Sequence, residues 1–171
     1  MAILQETDFD NGRFEIPTNT YQDDTLNDYI DRVENYYLPR LFGVELYDLF
    51  IADLTPSTPQ EPQSARFLQI FNPFNDQTDD DFTQSKGIKV MLQGLVYYTY
   101  VRDNVSVVTT GGTKQTSSEN ATNVAASSVM VDSKYNEAIE TYKVIQNYML
   151  NVDPDTYPEF EGINERFNHS F

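Results

Sequence analysis

Residues 84–104 read QSKGIKVMLQGLVYYTYVRDN, the longest apolar-rich run in the chain. Ile88, Met91, Leu92, Leu95, Tyr98 and Thr99 follow one another at spacings of 3, 1, 3, 3 and 1, which places all six on one stripe of an α-helix. Val90, Gly94, Tyr97 and Val101 lie on the opposite side, so this helix is apolar nearly all round and calls for burial on more than one face. Glycine in a helix interior costs about 1 kcal/mol relative to alanine, and close approach of another backbone is one reason to keep Gly94. The run is therefore read as a central helix. Its second face either closes onto the chain's own core or serves as an assembly surface against a neighbouring molecule.

Upstream of it, residues 1–22 lack a helical period, but Asn11-Gly12 sits between Phe9 and Phe14 as a tight-turn signal, so an ordered arm is expected. Asp23-Asp24-Thr25 start a helix with negative charge at the positive end of its dipole. Leu26, Tyr29, Ile30, Val33 and Tyr37 carry it to about residue 38, where Pro39 is expected to end or kink it. Gly43 is a candidate hinge, followed by a shorter amphipathic helix marked by Tyr47, Phe50, Ile51 and Leu54. TPSTPQEPQS, residues 55–64, reads as a surface linker because of its three prolines. One or two helical turns follow over Arg66–Phe74, and then an acidic loop, Asn75–Asp81.

Downstream, Val105–Val129 shows no helical pattern. Val105, Val107 and Thr109 could line one side of a strand, and Gly111-Gly112 and Lys114 lead into a flexible polar run. A loop this long inside a compact domain is usually functional or disordered, and its β-branched start suits strand addition to a neighbour. Tyr135, Ala138, Ile139, Tyr142, Ile145 and Met149 define the last helix, capped by Asp132 or Ser133. Residues 152–171 form a separate acidic tail whose Tyr157, Phe160, Phe167 and Phe171 read as a strap docking on another surface. The expected fold class is thus mainly α. It is a bundle of about four helices over residues 1–151, with an extended N-terminal arm, a long loop or β-hairpin between the last two helices, and the tail.

With 171 residues, 27 acidic side chains against 11 basic ones give a formal charge of -16. Such a surface repels nucleic acid, whose binding needs clustered Lys and Arg. There are no cysteines, which excludes thiolate metal sites and cysteine nucleophiles. The start of the chain has neither the basic flank nor the apolar core of a secretory signal, and no stretch has the roughly 20 apolar residues of a membrane span. The sole histidine, His169, is poorly placed for a catalytic triad. Asp76, Asp79, Asp80 and Asp81 lack the glycine and glutamate of a calcium-binding loop, and Gly111-Gly112-Thr113-Lys114 lacks the spacing of a phosphate loop. No enzyme activity, cofactor or metal is expected.

Taken together, YYLPRLFGVELYDLF (Tyr36–Phe50), GIKVMLQGLVYYTYVRDN (Gly87–Asn104), the long Gly/Thr/Ser/Asn loop and the closing helix resemble the head-tail connector, or adaptor, proteins of tailed bacteriophages, in particular the neck ring proteins of crAss-like phages. The resemblance covers roughly residues 3–150 and is most specific in LFGVELYDL and in the passage from YVRDNVSVVTTGG to ENA. It implies a homo-oligomeric ring of twelve copies below the portal protein, with loop and termini reaching neighbouring subunits or other neck and tail ring proteins, and DNA passing through unbound. The protein would then belong to the virion neck, assembled in the bacterial host cytoplasm. Carried over, the ring-stabilising helix is Gly87–Asn104 and the loop contacts lie in Val105–Asn120. The proline linker and the tail after Asn151 depart from the family pattern, which leaves the next partner open. From the charge alone, a competing reading is an acidic DNA mimic that inhibits a basic protein.

Overall fold

The computed structural model of the chain describes residues 2–16, 23–78, 81–109, 112–115 and 124–162. Helix α1 spans Asp23–Asp53, α2 Ala65–Phe71, α3 Ile88–Val105 and α4 Val124–Asn147, which continues as a π-helical turn over Tyr148–Val152. Two antiparallel ribbons interrupt the helices: β1 (Phe74–Thr78) with β2 (Asp81–Ser85), and β3 (Ser106–Thr109) with β4 (Gly112–Gln115). The molecule is mainly α, built on about four helices, as the periodicity predicts.

Helix α3 is the centre of this arrangement. Ile88, Met91, Leu92 and Leu95 are fully buried, and they share one core with Leu26, Ile30, Leu38 and Phe42 of α1 and with Tyr142 and Ile145 of α4. The N-terminal arm closes the core from outside through Ile3, Leu4, Phe9, Phe14 and Ile16, all buried. Its turn forms at the expected place, with the Ile16 amide donating to the Phe9 carbonyl at 2.9 Å across Asn11-Gly12.

Three expectations need correction. Pro39 does not end the first helix: α1 runs through it and breaks instead at Gly43, the expected hinge, whose φ of 73° is a conformation that favours glycine. In the turn that Pro39 disturbs, the Arg40 guanidinium donates to the Tyr36 carbonyl at 2.7 Å. The acidic stretch after Phe74 is not a loop but the β1–β2 ribbon, with Asp76 paired to Thr83 and Thr78 to Asp81; Asp79 and Asp80 lie outside the described residues. Helix α4 begins at Val124 rather than near residue 132, so the non-helical segment is shorter than its polarity indicates.

Residues 55–64 do lack helix and strand, yet they are held closely. The Asp53 carboxylate accepts from the amides of Gln63 and Ser64, each at 2.9 Å, and from the Ser64 hydroxyl at 3.0 Å. Gln60 exchanges two hydrogen bonds of 2.9 Å with the backbone of Ala2. The prolines thus form a fixed bracket between α1, α2 and the start of the arm.

Candidate interaction surface

The second face of α3 is covered within the chain. A Cβ on Gly94 would lie 3.1 Å from Ala138 Cβ and 3.2 Å from the Lys134 carbonyl oxygen, so Gly94 is where the α3 and α4 backbones approach each other. Tyr97 is half-buried, with Lys134 Nζ 3.7 Å from its ring centre and the Phe14 ring 6.2 Å away. Val90 and Val101 pack against the core's edge. Gly94, expected as a subunit contact, is therefore an internal packing residue, and the arm together with α4 supplies the partner that this face requires.

The remaining expected contact residues divide by position. Val105 is the last residue of α3, not part of a strand. Val107 and Thr109 belong to β3, where they pair with Lys114 and Gly112 of β4. Gly111, Phe167, Phe171 and His169 lie outside the described residues. The strap is real but docks on its own chain: Tyr157 and Phe160 are buried in the core, the Tyr157 hydroxyl donates to the Arg66 carbonyl, and Arg66 meets Glu159 at 3.3 Å. Residues 152–162 consequently belong to the helical body rather than to a separate tail.

The structure also assembles a surface that the linear pattern does not reveal. Arg32, Tyr36 and Tyr37 of α1, Tyr98 and Arg102 of α3, and Tyr135 of α4 enclose a cleft of about 250 Å³. The Tyr98 and Tyr135 rings lie 4.4 Å apart, and Tyr36 and Tyr37 meet edge to face at 5.0 Å. Burial and the neighbouring Tyr37 hydroxyl, to which it is hydrogen-bonded, push the Tyr135 phenol well above its ordinary range. Three arginines stack on tyrosines along this face: Arg40 on Tyr36 at 3.6 Å, Arg32 on Tyr29 at 4.3 Å and Arg102 on Tyr98 at 5.5 Å. Asp103 sits between two of them, 3.6 Å from Arg32 and 3.3 Å from Arg102. Both guanidinium side chains remain more than half exposed. The available signals were the doublets Tyr36-Tyr37 and Tyr97-Tyr98, each close to an arginine.

On the other side of α4 lies a polar groove of about 790 Å³, lined by Asp132, Glu137 and Glu140 together with Arg13 and Lys86. Glu137 holds Arg13 of the arm through both oxygens, while Asp132 and Glu140 are exposed.

Glu34 is a second group that the linear pattern conceals. It is fully buried, and its Oε1 accepts the amides of Ile3 at 3.0 Å and Leu4 at 2.8 Å, while Oε2 has no hydrogen-bond partner. Burial outweighs the two amides and raises its carboxyl to about 7. Its spacing of four from both Ile30 and Leu38 placed it on the apolar stripe.

Among the described residues no group of three His, Asp or Glu side chains is arranged to hold a metal ion, and no described helix is long and apolar enough to cross a membrane. No family model, curated protein or solved structure matches the chain. What the geometry offers is contact surface: an arginine and tyrosine cleft, a polar groove and an open two-stranded ribbon.

Proposed function

We propose that the protein is a structural subunit of a phage neck ring, joining the portal to the tail and lining the channel through which DNA passes. The observation that carries this reading is the β3–β4 ribbon. It follows α3 without an intervening residue, and as a two-stranded sheet it leaves one edge of each strand unpaired among the described residues. A two-stranded ribbon alone is marginally stable in water, and its open edges are suited to adding a strand from another molecule. A helical body with such an extension fits a subunit whose neighbours complete it by heterologous, ring-closing contacts.

The charge supports the same reading. A net -16 per copy gives DNA no reason to adhere to a channel wall. The test is the native mass of the purified chain, alone and mixed with a portal ring from the same genome. A ring-sized species in either condition is the expected result. A persistent monomer that ignores portal and captures a basic protein would overturn the proposal in favour of the inhibitor.

A further inference from the structure

We infer that the tyrosine and arginine cleft of one copy receives the carboxylate face of α4, Asp132 and Glu140, from a second copy. This rests on the ring reading and names the surfaces that close the ring. A head-to-tail interface must use two different patches of one chain. The structure supplies two on either side of α4: this helix contributes only Tyr135 to the cleft, but most of the lining of the polar groove, including the exposed Asp132 and Glu140.

Charge singles out this pairing. The chain has six arginines, and two of them, Arg32 of α1 and Arg102 of α3, 70 positions apart in sequence, line the cleft of a strongly acidic molecule, while Arg40 stacks on Tyr36, which lines it too. A second copy brings 27 acidic residues to such a site, and two exposed ones, Asp132 and Glu140, stand on the helix that borders the cleft. Asp103 already lies between Arg32 and Arg102 at 3.6 and 3.3 Å, and so occupies the kind of position an incoming carboxylate would share. Around it, Tyr36, 47% exposed, and its stacked neighbours provide the aromatic and arginine surface in which binding energy is commonly concentrated. Stacking fixes the guanidinium planes in advance, which suits them to paired hydrogen bonds with a carboxylate.

The experiment is a charge exchange in the full chain, read by native mass with portal present and by circular dichroism melting of each variant. Arg102→Glu and Glu140→Arg should each lower ring yield at least about tenfold, because attraction becomes repulsion at every junction. Their combination in one chain should restore it. A photo-crosslinking residue at position 36 of the otherwise native chain should join two copies, with the second linked through α4. Single variants that assemble like the wild type, or a crosslink to any other surface, would overturn the cleft assignment while leaving the ring reading intact. A double variant that fails to recover while melting like the wild type would do the same. A wild-type chain that forms no ring in either condition would overturn both.

Discussion

Glu34 spends its carboxylate on two amides of the arm, and its second oxygen faces the interior without a partner. Its proton affinity is raised in the folded chain, from about 4.5 to about 7, so the folded state binds the proton more tightly than the unfolded state does. The stabilisation from that proton is complete below about pH 4.5 and is lost as pH rises through 7. The loss amounts to about 3 kcal/mol at 1.36 kcal/mol per unit. Glu34→Gln should therefore gain on the wild type by roughly that amount between pH 4.5 and 8 in denaturant titrations. Parallel stability curves for the two proteins would show that the carboxyl does not titrate with folding. Gly94 gives a second test at this scale. With Ala138 Cβ and the Lys134 carbonyl oxygen 3.1 and 3.2 Å from any added Cβ, Gly94→Leu must separate α3 from α4. We expect a loss of about 2–3 kcal/mol in the isolated chain, and unchanged thermal stability would place that face outside the core.

Among the elements, the helices were legible because their apolar spacing is regular: α3, the hinge at Gly43 and most of α4 follow from it. The β1–β2 ribbon was not, because Asn75, Asp76 and Asp81 are residues depleted in strands. What fixes it is tertiary packing, with Phe74 4.8 Å from the Tyr148 ring and β2 lying against α4. The first turns of α4 are not legible because Ser127-Ser128 within them favour loops when met without context. The strap was legible as a row of aromatics, but spacing along a chain cannot tell docking on oneself from docking on a neighbour. Its contacts decide this, and they change the expected outcome of truncation. Removing residues 152–171 strips Tyr157 and Phe160 from the core, so the shortened chain should melt well below the full one rather than fold independently. Tyr157→Ala alone should cost about 3–5 kcal/mol, whereas Tyr157→Phe, which loses only the hydrogen bond to the Arg66 carbonyl, should cost about 1 kcal/mol. Equal losses for both would mean that the ring contributes nothing by its burial. The arginine and tyrosine cleft was illegible for a related reason: Arg32 and Arg102 are 70 positions apart, and only the packing of α1 on α3 joins them.

For the whole molecule the governing quantity is net charge. The 27 acidic residues outnumber the 11 basic ones, so at least 16 have no cation of their own. Repulsion among the rest opposes the compact state and any approach of a second copy. Salt screens it, the reach of an exposed charge falling from about 30 Å at 0.01 M to about 10 Å at 0.1 M. Thermal stability of the isolated chain should thus rise between those concentrations, and a fall would show that ion pairs such as Arg66–Glu159 outweigh the general repulsion. Association separates the two functional readings on the same axis. A ring closed by apolar contact and local charge pairs has to overcome repulsion between like-charged copies, so its assembly should tolerate or gain from moderate salt. An inhibitor acting through its acidity would lose its basic partner steeply over the same range. Measuring ring yield and basic-partner affinity from 0.01 to 0.3 M salt distinguishes them, because only the inhibitor reading requires a steep fall with salt.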